Sequence, residues 1–187
     1  MAFRPDHGHR ALRHGRLSVP GATYFLTCCT RERDGLTCPA IFEVAVSILC
    51  AAAMDALWTS RVMTIMPDHL HCVITLGDAT ELPQVIRLLK GRLSPVLRAQ
   101  GLHWQPAVYE HRLRPAEPLL PVFHYIFMNP YRRRLLAATQ PWPYFWCSDA
   151  DRDWYDPGQV GDIPYPAWLE PEEASPRKAA PTTEGIL

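Results

Sequence analysis

Two short apolar runs near the middle of the chain place the strongest constraint on its fold. They cover residues 61–66 (RVMTIM) and 69–76 (HLHCVITL), and only Pro67 and Asp68 separate them. Runs rich in β-branched residues on either side of a proline-containing turn are typical of paired strands. The pattern therefore predicts a hairpin within a β-sheet.

Strand and helix patterns alternate on both sides of this hairpin. Residues 41–58 place apolar side chains at helical spacing, and residues 82–93 repeat the pattern behind Thr80, Glu81 and Pro83, which signal a helix start. In chain order the predicted elements are a strand over 21–30, a helix over 41–58, the two hairpin strands, a helix from 80, a strand over 104–113 and a helix over 119–136. The order β-α-β-β-α-β-α predicts an α+β protein with a ferredoxin-like, split βαβ antiparallel sheet and helices on one face.

The charge distribution divides the chain into a body and a tail. Residues 1–140 hold 16 Lys and Arg against 10 Asp and Glu, whereas residues 141–187 hold 3 against 9, together with 8 of the 19 prolines. Because proline lacks a backbone donor and fixes φ, such a segment rarely forms regular structure. We predict one domain over residues 1–147 and an acidic, largely irregular tail over 148–187. Nearly all the basic residues are Arg, which favours a polyanionic partner, although a solvated basic face has the same composition.

Composition excludes several classes of protein. With 48% apolar and 20% charged residues the chain can bury a core, which argues against full disorder. No apolar run approaches the roughly 18 residues of a membrane span, and none follows the N-terminal arginines as in a secretory signal. The six cysteines form no CxxC pair and are interpreted as reduced thiols. These features predict a cytoplasmic protein without a membrane partner.

The sharpest candidate for chemistry is His69-Leu70-His71. Side chains alternate along a strand, so both imidazoles project from one face of the sheet while Leu70 and Cys72 project from the other. Two neutral imidazoles side by side can hold a divalent cation. The alternative is two unrelated, half-buried histidines.

Tyr125 and Asn129 form a second candidate pair. Four residues apart on a helix, they share one face. A tyrosine oxygen beside a metal-bound phosphate can attack it, and the amide oxygen of Asn129 can serve as a third metal ligand. Ordinary core aromatics would give the same pattern. Pro130 also predicts a kink or a helix boundary at Asn129, which would alter this geometry.

Several stretches of the chain form a combined motif. They are 21–27 (GATYFLT), 66–74 (MPDHLHCVI), 88–94 (LLKGRLS), 104–105 (WQ), 110–114 (EHRLR) and 125–130 (YIFMNP). Together, and in the right order over about residues 15–147, they resemble the REP-associated tyrosine transposases, members of the HUH-type single-strand transposases that use one tyrosine.

The resemblance implies a role for four residues. His69 and His71 match the pair that holds a catalytic Mg²⁺ or Mn²⁺, and Asn129 matches a polar third ligand. Tyr125 matches the nucleophile that cleaves single-stranded DNA beside a REP-type hairpin, leaving a 5′-phosphotyrosine and a free 3′-hydroxyl. A nucleoid-associated protein that is a monomer or a homodimer is expected. The chain departs from the family at Tyr131, a second tyrosine close to the site.

Basic residues supply further candidates, for contact with DNA rather than for chemistry. Clusters of this kind neutralise phosphates, although a solvated basic face is the alternative for each of them. The residues are Lys90, Arg92, Arg112, Arg114, Arg132, Arg133 and Arg134.

Three other functions compete with that of a transposase. A non-catalytic nucleic-acid-binding module has a similar fold, but it leaves the two histidines without a role. A histidine-based nucleotide hydrolase needs a third alternating histidine, and position 73 is Val. A zinc hydrolase lacks its HExxH motif. The aromatic residues 142–146 are interpreted as a clasp that holds the tail to the body, with base stacking as the alternative.

Overall fold

The structure is a computed structural model that describes residues 18–137 and 139–156. No helix in these ranges is both long and apolar enough to cross a bilayer. In chain order the elements are β1 (Thr23–Thr30), α1 (Pro39–Met54), β2 (Trp58–Ile65), β3 (His69–Leu76), α2 (Leu82–Ala99), β4 (Trp104–Arg112), α3 (Leu119–Arg132), β5 (Phe145–Cys147) and α4 (Asp149–Arg152).

The five strands form one antiparallel sheet in the order β4-β1-β3-β2-β5. The first four strands have the ferredoxin-like arrangement, so the predicted fold class is confirmed. The hairpin across Pro67 and Asp68 is also confirmed, with the Met66 amide donating to the His69 carbonyl at 2.7 Å. β5, which was not predicted, extends the sheet beyond β2.

The two faces of the sheet are covered differently. α1 and α2 pack on one face, as predicted, where residues such as Leu49 and Leu89 meet Leu70 and Cys72 of β3. α3 lies on the opposite face, where its Tyr125 joins a second apolar cluster. Because strand residues alternate, this second face also carries His69 and His71.

Two predicted boundaries are corrected. α1 ends at Met54, and Trp58 begins β2 instead of ending the helix. The reason is a turn in which Ala56 has φ 53°, a left-handed conformation that a helix cannot continue through. α3 passes through Pro130 and ends at Arg132, so the helix boundary expected at Asn129 is absent. A proline so close to the end removes only one helical hydrogen bond.

The structured body continues past the predicted boundary at Cys147. The Asp151 carboxylate of α4 forms an ion pair with Arg61, and Tyr155 is buried against α3 residues. The Trp142 indole donates to the Ile65 carbonyl at 3.1 Å, consistent with the expected aromatic clasp. The rest of the predicted tail, residues 157–187, lies outside the described residues.

Candidate active site

The two histidines of β3 converge on one point. Both are almost completely buried, and their Nε2 atoms lie 2.9 Å apart. His69 is opposite Cys29 of β1, and His71 lies between Thr27 of β1 and Thr64 of β2. The central position of β3 therefore surrounds the imidazoles with side chains from both neighbouring strands.

Asp68 orients the first imidazole. Its carboxylate accepts the Nδ1–H of His69 at 2.6 Å and is also 3.2 Å from the Arg133 guanidinium. The hydrogen bond from His69 and the nearby charges outweigh burial and lower the pKa of Asp68, so it is a carboxylate. A proton held on Nδ1 leaves Nε2 of His69 with a free lone pair, the form that binds metal ions.

Thr27 holds the second imidazole. Its hydroxyl lies 2.8 Å from Nδ1 of His71. Burial lowers the pKa of His71 well below its ordinary value, and the nearby charge of Arg133 lowers it further, so the ring is neutral. In this arrangement Nε2–H of His71 donates to Nε2 of His69. Binding of a cation between the rings requires the other tautomer, in which Nδ1–H donates to Thr27.

The site fits a divalent cation with mixed nitrogen and oxygen ligands. Thr64 is fully buried opposite His71, and its hydroxyl has no hydrogen-bond partner within the described residues. Such a group is costly unless a ligand or water completes it. No cluster of three or more His, Cys, Asp or Glu residues suited to a metal occurs in the described ranges. Within the described residues, the two imidazoles would therefore need oxygen ligands to complete a cation site.

α3 brings Tyr125 to the histidines, and Asn129 follows one turn later on the same helix. Tyr125 and Asn129 are both buried one turn apart, and the Tyr125 ring centroid lies 5.6 Å from that of His71. The fully buried Phe25 touches both rings, at 5.2 Å from His71 and 6.1 Å from Tyr125. This contact fixes the position of the tyrosine over the histidine pair.

Two arginines at the end of α3 reach into the site. The guanidinium of Arg132 lies 5.8 Å from the centre of the Tyr125 ring, and Arg133 contacts Asp68. Side chains on a helix lean towards its N-terminus, which allows Arg132 to reach back two turns. Arg132 and Arg133, both predicted to contact DNA, therefore contact residues of the candidate active site.

The hydroxyl of the second tyrosine, Tyr131, forms hydrogen bonds with backbone groups outside the histidine pair. Its hydroxyl donates to the Gln140 carbonyl at 3.0 Å and accepts the Trp142 amide at 3.2 Å. Its ring packs on Phe127. Tyr125 is thus the tyrosine that the fold places beside the histidines.

The remaining predicted DNA contacts are not brought together. The ammonium of Lys90 donates to the Gln105 carbonyl at 2.6 Å. Arg112 is paired with Tyr24 and therefore projects from the α1–α2 face, away from the histidines. Arg114, 77% exposed, follows the strand, whereas Arg92 on α2 and Arg134 after α3 are exposed.

Sequence reasoning missed three residues that support the site. Asp68 stands next to His69 in the chain, and that adjacency was an available signal. Thr27 and Thr64 are distant in sequence, and no local pattern marks them. Their roles follow only from the register of β1 and β2 against β3.

Comparison with known proteins identifies the family of this chain. The family model described as "Transposase IS200 like" matches residues 18–112, about half of the chain, including His69 and His71. The chain belongs to the IS200-like transposase family. It is accordingly a transposase, an enzyme that cleaves and joins DNA, which favours catalysis over a non-catalytic binding module. The match ends before α3, so it does not include Tyr125 or Asn129.

Solved structures show a similar fold. A REP-associated tyrosine transposase bound to a REP hairpin superimposes with a TM-score of 0.66 at 21% identity, covering 81% of this chain and 93% of that one. A candidate transposase from Deinococcus radiodurans matches with a TM-score of 0.43 at 20% identity, covering 55% of this chain and 87% of that one. No curated protein matches this chain significantly.

Proposed function

We propose that this transposase is a metal-dependent, single-stranded DNA endonuclease and strand transferase whose nucleophile is Tyr125. The observation that carries the proposal is the edge-on contact of the Tyr125 ring with His71, whose Nε2 lies 2.9 Å from that of His69. A phosphate held at the histidine pair would lie within reach of the phenol. The family model supports DNA cleavage as the reaction.

His69 and His71 would hold the cation, with Asn129 as an oxygen ligand. When bound, a divalent cation neutralises the scissile phosphate and polarises it towards attack. Imidazole suits Mn²⁺ and heavier metals better than Mg²⁺, which prefers oxygen ligands. We therefore place Mn²⁺ before Mg²⁺ as the more effective cofactor in vitro.

The chain's own residues carry out the transfer. The phenolic oxygen of Tyr125 attacks the phosphorus, and its proton passes to solvent. The bond to the 3′ oxygen breaks, and that oxygen takes up a proton to become a free hydroxyl. Arg132, beside the tyrosine ring, stabilises the negative charge that develops. Because a phosphodiester remains on Tyr125, the reverse reaction can rejoin a strand without an external energy source.

The substrate is proposed to be single-stranded DNA beside a REP-type hairpin. A structure of similar fold is bound to a REP hairpin, which supports this class of target. Such a substrate implies a cytoplasmic, nucleoid-associated location. Tyr125 meets the histidines of its own chain, so one chain contains the proposed machinery and a monomer suffices for cleavage.

The experiment is a search for a covalent protein–DNA complex. Labelled single-stranded DNA carrying a hairpin from the flanks of the gene would be incubated with Mn²⁺ or Mg²⁺ and analysed on a denaturing gel. Wild type is expected to form a metal-dependent adduct that Tyr125→Phe and the His69→Ala/His71→Ala double variant lose. Tyr131→Phe is the matched control and should retain it. An adduct that survives Tyr125→Phe would reassign the nucleophile, and binding without cleavage with either metal would favour a non-catalytic module.

A further inference from the structure

Within residues 18–137 and 139–156, the face of the sheet that carries the histidines is only partly covered. α3 packs mainly against β2, on one side of this face. β4 forms the sheet edge on the other side, and none of its residues is fully buried. The surface along β4 is thus an open shelf beside the histidine pair.

Tyr109 is the prominent side chain on this shelf. It is paired with Thr27, whose hydroxyl contacts His71, and it projects from the same face of the sheet. Tyr109 is 44% exposed, so solvent reaches it beside the histidine pair. The ring is supported from below by Phe25, at 6.2 Å between centroids in an edge-on contact.

Phe25 connects this exposed ring to the proposed chemistry. The same buried ring contacts Tyr109, His71 and Tyr125. Neighbouring strands lie about 4.8 Å apart, so the backbone of Tyr109, two strands from His71, is roughly 10 Å away. With about 3.4 Å per stacked nucleotide, this distance corresponds to only a few nucleotides of a DNA strand.

We propose that Tyr109 forms a nucleobase subsite, on which an unpaired base close to the scissile phosphate stacks. The inference rests on the proposed function and deepens it, because it defines the state of the DNA at the cleavage point. A base in a duplex is already stacked between its neighbours, and its flat surface is not available to a protein ring. An exposed, supported tyrosine suits an unpaired base of any sequence, since every base has such a surface.

The test is an abasic scan of the DNA combined with variants of Tyr109. The probe is a fluorescein-labelled oligonucleotide with a hairpin and single-stranded flanks from the DNA beside the gene, and each flanking nucleotide in turn is made abasic. Affinity is measured by anisotropy with a chelator present, so the readout does not depend on cleavage. The proteins are wild type, Tyr109→Ala, Tyr109→Phe and Leu120→Ala, the last an exposed apolar residue of α3.

Wild type is expected to lose about fivefold or more in affinity at one abasic position, within the range measured for base–aromatic stacking. Tyr109→Ala should bind the intact probe about fivefold or more weakly and lose no further affinity at that position. Tyr109→Phe, which keeps the ring, and Leu120→Ala should behave as wild type. A fully paired duplex of the same flank should not distinguish wild type from Tyr109→Ala.

Two results would overturn the proposal. One is a wild type that is indifferent to every abasic position, and the other is a Tyr109→Ala variant with the same position dependence as wild type. Failure of the proposed function has a different signature, because the covalent adduct would then be absent with Mn²⁺ although the abasic effects persist. Tyr109→Phe preserves the packing on Phe25. The thermal midpoint of Tyr109→Ala shows whether this variant is folded, and a loss of DNA affinity in a folded Tyr109→Ala reports lost stacking.

Discussion

The Thr27 hydroxyl lies 2.8 Å from Nδ1 of His71, a hydrogen bond between adjacent strands that sets which ring nitrogen faces His69. Nε2 of His71 can bind a metal ion only when Nδ1 carries the proton and donates it to this hydroxyl. Partners of this kind orient metal ligands, and their removal commonly costs 10–100-fold in metal affinity, as a rough guide.

Thr27→Val should therefore weaken Mn²⁺ binding by about 10-fold or more with little effect on folding. Calorimetric titration of the protein with Mn²⁺ measures this. Thr23→Val is the matched control, because Thr23 lies on the same strand and bonds across to Thr75 at 3.0 Å, away from the histidines. Equal Mn²⁺ affinity in the two variants would contradict the assigned role of Thr27.

Arg132→Gln should slow formation of the covalent adduct by about tenfold or more, since it removes a positive charge from over the ring of the proposed nucleophile, Tyr125. Arg132→Lys should restore part of the rate. The measurement is a single-turnover time course at saturating DNA, which separates the rate from affinity. Arg134→Gln is the control, because Arg134 is exposed and follows the end of α3. If the two glutamine variants react equally fast, Arg132 does not act on the reaction.

Asp151→Asn should destabilise the fold by about 1–3 kcal/mol at neutral pH, because it removes the ion pair that joins α4 to Arg61 of β2. Burial alone would raise the pKa of Asp151, but hydrogen bonds from Arg61, Ser148 and Trp154 outweigh it and the pKa is lowered. A group with a lowered pKa stabilises the protein above the pKa of its unfolded form, and this contribution is lost as the pH falls through the folded value. Urea unfolding measures the free energy of unfolding of wild type and Asp151→Asn, and the difference between them should shrink from neutral pH towards pH 3. A difference that stays constant would exclude an ionic origin.

Gly77→Ala should destabilise the protein by about 1–3 kcal/mol or more, because the new Cβ would be driven against backbone. It would lie 2.7 Å from the Leu57 carbonyl oxygen and closer still to that of Ala56. Gly91→Ala is the opposite case, since open space surrounds Gly91 on α2 and alanine favours a helix by about 0.5–1 kcal/mol. Thermal unfolding of both variants measures the contrast. Similar midpoints would contradict the tight packing between the end of β3 and the turn before β2.

Local sequence patterns predicted the order of the first seven elements, the strand that carries the histidines and the helix that carries Tyr125. These are local properties, because alternation along a strand places His69 and His71 on one face and a four-residue spacing places Tyr125 above Asn129. A kink or a helix boundary was expected at Asn129, and the boundary is absent, since a proline near a terminus costs too little to stop a helix that packing holds in place.

The side chains that surround the histidines depend on the tertiary structure. Strand register places Thr27 and Thr64 beside the histidines and Tyr109 on the shelf next to them. Register also places Arg112 on the opposite face of the sheet. Arg132 and Arg133, adjacent in sequence, contact different members of the site because α3 is laid across the sheet. Register and helix placement arise from the packing of residues far apart in the chain, and no local pattern of residues contains that information.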